Sequence, residues 1–187
     1  MLENLFNLVK QYAGDAITNN PSIPNERNDE AVSGAADSIA GGLQGALANG
    51  NIKDILSMFS GNQDVSQNNV TQNIQGGFID NLVGKFGLDR SQAGGIAASL
   101  IPMVLQNLVS KTNDPNDNSF DLQGILNNFS GGKTSGFDIS GLMNKFKGGA
   151  FDRDGDGDTD LQDVAAMLKG GGVPGGGVMD AVKGLFN

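Results

Sequence analysis

One short pattern recurs through the chain: an Asp or Asn, apolar residues at the first, fourth, fifth and eighth positions after it, then glycine. It reads FDLQGILNNFSGG at 120–132 and FDISGLMNKFKGG at 137–149. It returns as DLQDVAAMLKGG at 160–171 without the leading Phe, and as NIKDILSMFSG at 51–61. In the first of these, Leu122, Ile125, Leu126 and Phe129 fall on one face of a helix. Asp121 can accept a hydrogen bond from the free amides of the first turn, and Gly131 can take the left-handed conformation that closes the helix. Each copy therefore predicts a helix of two to three turns with a single apolar stripe. Helices this short are marginal alone, so the stripes must pack on each other or on a central unit. The copies are few and unevenly spaced, which makes them a local duplication of a helical element and not a regular solenoid.

The rest of the chain supplies that central unit. Leu2, Leu5, Phe6, Leu8, Val9, Tyr12 and Ala13 mark one face of an N-terminal helix within 1–18, which is expected to dock on the core. Residues 19–30 hold two prolines among polar residues with no helical period, and read as a linker. A Gly/Ala-rich helix follows at about 31–48, with Val32, Ala35, Ala36, Ile39, Leu43, Ala46 and Leu47 as its stripe. Gly41, Gly42 and Gly45 weaken it by up to about 1 kcal/mol each, but a face so small suits close helix–helix packing. Between 64 and 111 two helices are expected. Gly87 ends the first, and Asp89 with Gln92 offers a capping box for the second. Pro102 lies inside the second pattern and predicts a kink or a break there. Residues 170–178 form a glycine-rich linker before a last amphipathic segment, VMDAVKGLF.

These readings define an all-α fold: a small bundle of short amphipathic helices with Gly-rich connections. Twenty-nine glycines, no tryptophan and one tyrosine agree with a modest core. The most apolar run, AGGIAASLIPMVLQNLV, is interrupted by Pro102, Gln106 and Asn107, and is too short and polar to read as a membrane span.

Composition removes most catalytic chemistry. The chain has no cysteine and no histidine, so thiolate nucleophiles, Cys- or His-based zinc sites and a Ser-His-Asp triad are impossible. Twelve basic against twenty-one acidic residues leave a net charge of −9, which argues against binding nucleic acid through its phosphates. The two helices around Gly87 therefore read as core helices, not as a DNA-reading pair. GGKTS at 131–135 lacks the first glycine of a phosphate loop and the strand that should precede it. What remains is carboxylate chemistry, which suits hard cations.

That chemistry is concentrated in DRDGDGDTDLQD at 152–163. Asp152, Asp154 and Asp156 stand at alternate positions, and Gly157 stands where such a loop must turn sharply. Asp158 would bind through its backbone carbonyl, and Asp160 directly or through a water. Asp163 would close the site from the first turn of an exiting helix at about 161–169. Alternate residues of a tightly curled loop converge on one centre, and a calcium ion takes six to eight oxygens at about 2.3–2.6 Å. The pattern resembles an EF-hand loop, more closely the dockerin-type variant that ends in Asp. It departs from the usual pattern at Thr159, where an aliphatic residue is common, and no second loop of this type occurs in the chain. Gly148 and Gly149 also separate it from any incoming helix. A lone loop of this kind is expected to bind calcium weakly, roughly 10⁻⁵–10⁻³ M, as a structural clamp and not a conformational sensor.

The stretch KFGLDRSQAGGIAASLIPMVLQNLVSKTNDPNDNSFDLQGILNNFSGG resembles the bacterial YidB-like proteins and related glycine-rich domains of unknown function. The features are Gly87, Leu88, Gln92 and Ala93 in a turn, an apolar helix with Ile101-Pro102, and a later short helix ending in Gly-Gly. The resemblance implies a small all-helical bacterial domain over 31–150, without catalytic residues to carry over. The calcium loop and exit helix at 151–170 and the tail at 171–187 would then be additions to it.

The sequence thus leads to a non-enzymatic, calcium-binding interaction or scaffold module. Its alternatives are a dockerin-like protein-binding module and a carboxylate-metal hydrolase, the latter lacking a second acid cluster or general base. A protein partner or self-association fits the amphipathic segments. The start of the chain has no basic n-region and no unbroken apolar run, which favours the cytoplasm. A weak calcium site favours an extracellular or cell-surface setting, where calcium is abundant.

Overall fold

Asp121 opens a helix as its position in the repeat predicts: its Oδ1 accepts the Gly124 N–H at 2.6 Å. The helix it starts, α6 (Leu122–Phe129), is the last of six α-helices in a computed structural model that describes residues 1–61, 64–132, 134, 141 and 143. The others are α1 (Leu2–Tyr12), α2 (Asn28–Ala48), α3 (Ile52–Ser60), α4 (Asn69–Phe86) and α5 (Arg90–Asn113). No strand occurs among the described residues, so the fold is the expected all-α bundle.

Four of the helices close a ring: α1 packs on α2, α2 on α4, α4 on α5, and α5 back on α1. The two described copies of the short repeat cover this ring. Helix α3 packs against α2, α4 and α5, and α6 rests on α2. Stripe residues Ile55, Leu56 and Phe59 of α3 are buried, as are Ile125 and Leu126 of α6. Met143, the counterpart of Leu126 in the next copy, is also buried in the same apolar cluster. Gly131 closes α6 with φ 65°, and the Gly132 N–H returns to the Asn127 carbonyl at 2.8 Å, as a left-handed cap requires.

The Gly/Ala-rich α2 packs as its small face predicts, and one glycine accounts for the closest approach. A methyl group on Gly42 would stand 2.2 Å from Ile74 Cγ1 of α4, whereas Gly41 and Gly45 have open space around them.

Three expectations change. The break that Pro102 allowed does not occur, since α5 runs continuously from Arg90 to Asn113 with the proline inside it. A proline removes a single helical hydrogen bond, and Leu100, Ile101, Val104 and Leu105 around it are all buried and hold the helix in place. The capping box at Asp89 is half formed. Asp89 Oδ1 accepts the Gln92 N–H at 2.8 Å, but the Gln92 side chain does not return to Asp89. Its Nε2 donates instead to Ser22 Oγ at 3.3 Å, in the connection between α1 and α2. That connection is not an open linker. A π-helical turn spans Gly14–Thr18, a 3-10 turn spans Asn25–Arg27, and Ile17 and Ile23 are buried. Arg27 fixes its end: the guanidinium stacks 4.2 Å from the Phe86 ring, pairs with Glu30 and donates to the Lys85 carbonyl.

Helix α5 has the length and mean hydropathy, 1.4, of a membrane span, but half of its most apolar window is buried inside the protein. This is the composition of a core helix and does not show a transmembrane segment.

Candidate metal centre

The six carboxylates that carry the calcium reading, Asp152, Asp154, Asp156, Asp158, Asp160 and Asp163, lie outside the described residues. So do the exit helix expected at 161–169 and the terminal segment at 178–186. The donor set can be judged by its chemistry. Six Asp and one Arg in twelve residues leave a local charge of −5 (−6 + 1), more than half of the net −9 of the whole chain. Five of these Asp alternate from 152 to 160 and the sixth follows at 163, a set of hard oxygen donors that suits an oxygen-seeking divalent cation.

The carboxylates of the helical body are used differently. Asp64, Asp89 and Asp121 each accept a backbone N–H at the start of a helical turn. Asp29 pairs with Lys10, Glu30 with Arg27, Asp80 with Arg90, and Asp117 with Lys111. The Asp117 pair is the least exposed, with its oxygen 2.7 Å from Lys111 Nζ. Asp117 Oδ1 also accepts the Ser119 N–H at 2.9 Å and the Ser119 hydroxyl. Lys111 and then these Ser119 bonds hold the Asp117 carboxyl well below the usual carboxylate range. The same pairing raises Lys111. Ser66 lowers Asp64, and Arg27 lowers Glu30. Among the described residues, no three Asp or Glu side chains come together in a group that could hold a metal ion.

Two open depressions mark the described surface. One, of about 540 Å³, lies between Met1, Leu2 and Glu3 of the N-terminus, Ala40 and Gln44 of α2, and Asn128 and Phe129 of α6. The other, of about 430 Å³, is lined by Thr18, three asparagines, Pro21, Ile23 and Pro24 of the α1–α2 connection. The first contains one carboxylate, Glu3, and the second no carboxylate or basic side chain.

No family model, no curated protein and no solved structure matches the chain. The likeness to YidB-like proteins rests on Gly87, Leu88, Gln92, Ala93, Ile101-Pro102 and the short helix that ends in Gly131-Gly132. Of these residues, Gly87 caps α4 with φ 68°, and Leu88 and Ala93 are buried at the α4–α5 corner.

Proposed function

We propose that the chain is a non-enzymatic module in which a helical body carries one calcium-binding loop at 152–163, the ion clamping the C-terminal third in its working form. The observation that carries this reading is the loop itself. Six Asp fall on ligand positions and glycine falls on the turn, whereas among the described residues seven carboxylates serve helix caps or ion pairs and no three come together. Asp152, Asp154, Asp156 and Asp160 would supply side-chain oxygens, Asp158 its carbonyl, and Asp163 the closing carboxylate. Calcium would supply charge neutralisation, without which so dense a cluster repels itself.

The role of such a clamp is to present a surface for a protein partner, as the repeated amphipathic segments suggest. The likeness to YidB-like proteins supports a bacterial origin and an all-helical body for 31–150. Thermal melts of the full chain in calcium and in chelator test the reading. A ligand that binds only the folded form at about a hundredfold over its Kd stabilises by about 2.7 kcal/mol. A melting temperature that rises in calcium and falls back in chelator supports the clamp, and identical melts sink it.

A further inference from the structure

Helix α6 is left partly uncovered where α3 is not. Both are copies of the same repeat, and the eighth position of each is a phenylalanine. Phe59 of α3 is completely buried, and α3 packs against α2, α4 and α5. Phe129 of α6 is only partly buried, and α6 rests on α2. The apolar stripe of α1 ends in a similar way: Leu5, Leu8 and Val9 are buried, whereas Leu2 is 57% exposed. Leu2 and Phe129 line the same open depression of about 540 Å³, together with Ala40 and Gln44 of α2. Two apolar stripes that run out into one depression define a seat for another amphipathic helix.

The repeat indicates what occupies it. DLQDVAAMLKGG at 160–171 is the last copy, with Leu161, Val164, Ala165 and Leu168 at the stripe positions. The copies at α3 and α6 both pack on α2, and the next is committed to the core through Met143, which leaves the last copy to be placed. Leu161 follows Met143 by eighteen positions. A flexible chain of that length spans about 21–25 Å and holds a tethered segment at an effective concentration of about the millimolar range. Charge agrees with this occupant. Among the described residues lining the depression Glu3 is the one with a charge, and Lys169 is the one basic residue of the segment. Lys169 beside Glu3 also turns Asp160 and Asp163, at the other end of the segment, away from that carboxylate. We propose that segment 160–169 docks as a helix in the depression between α1, α2 and α6, its stripe on Leu2 and Phe129 and Lys169 beside Glu3. The docking follows from the repeat and the depression and is independent of the calcium reading.

The chain has no cysteine, which permits a direct test with paired thiols in the full-length protein. Gln44→Cys places one in the depression, and Gln11→Cys places one at the end of α1 far from Leu2. Each is combined with Ala165→Cys on the stripe, and Gln44→Cys also with Val182→Cys in the terminal segment. In a glutathione redox buffer the 44–165 pair is expected to close within one chain at least about tenfold faster than the 11–165 or the 44–182 pair. Adding Leu168→Asp, with the fold checked by circular dichroism, is expected to remove that advantage. Rates are compared in calcium and in chelator, and an advantage in either supports the docking whether or not calorimetry detects calcium. Equal rates for the three pairs overturn the proposal, as does an advantage that survives Leu168→Asp. Faster closure of the 44–182 pair assigns the depression to the terminal segment and overturns it. A main product of the 44–165 variant at twice 19.3 kDa assigns it to a second copy and overturns it as well.

Discussion

Gly42 of α2 lies directly beneath Ile74 of α4, so close that a methyl group on the glycine would meet Ile74 Cγ1 at 2.2 Å. Ile74 is 1% exposed and its Cγ1 is not a free chain end, so it has little room to give way. Gly42→Ala is therefore expected to destabilise the protein by about 1–3 kcal/mol, as overpacking does. Gly41→Ala, on the open side of the same helix, is expected to be neutral or to stabilise by up to about 1 kcal/mol. Urea unfolding of both variants checks this. Combining Gly42→Ala with Ile74→Ala should cost less than the sum of the two single changes, because each relieves the other's clash or cavity.

Asn68 joins two helices at once. Its Oδ1 accepts the Val70 N–H at 2.9 Å and caps α4, while its Nδ2 donates to the Asp54 carbonyl of α3 at 2.9 Å. The residue is only 4% exposed, so water cannot replace either bond. Asn68→Ala is expected to lower stability by about 1–3 kcal/mol, measured by urea unfolding. Asn68→Asp keeps the cap acceptor but loses the donor to Asp54, and should also fall below wild type.

The Lys111–Asp117 pair predicts an acid-sensitive contribution. Asp117 has its folded pKa depressed below the ordinary 3.8, first by Lys111 and then by Ser119. Its contribution is thus fully present above pH 4 and is lost as the pH falls through the folded value. Lys111 is raised, so its share is present below its ordinary 10.5 and is lost only in strong alkali. Stability differences between wild type and Asp117→Asn, followed by urea unfolding from pH 7 down to pH 2, should shrink toward the acid end. A difference that stays constant over that range would show that the pair carries no such linkage.

The packing at α2 and α6 is legible in the sequence because it rests on local periodicity. Ile39, Leu43 and Ala46 recur at helical spacing and are buried, and Asp121 and Gly131 bound α6 by cap chemistry that depends on near neighbours. The connection between α1 and α2 is not legible, because its order comes from afar. Ile23 is buried by tertiary contact, Ser22 meets Gln92, and Arg27 stacks on Phe86. The long-range bond from the Tyr12 hydroxyl to Asn107 Oδ1, 2.7 Å across α1 and α5, has no local signature either. Neither bond of Asn68, the cap on Val70 of α4 or the bond to Asp54 of α3, is read from the sequence. The candidate site is the reverse case. Its six aspartates are read from spacing alone, since ligand positions in a curled loop are fixed by the count of residues between them.

Calcium binding itself is therefore the most direct test of the account. Isothermal calorimetry of the full chain should give one site with a Kd of roughly 10⁻⁵–10⁻³ M, absent in Asp152→Ala and Asp156→Ala. No heat from the wild type, or an isotherm that those two substitutions leave unchanged, would contradict it.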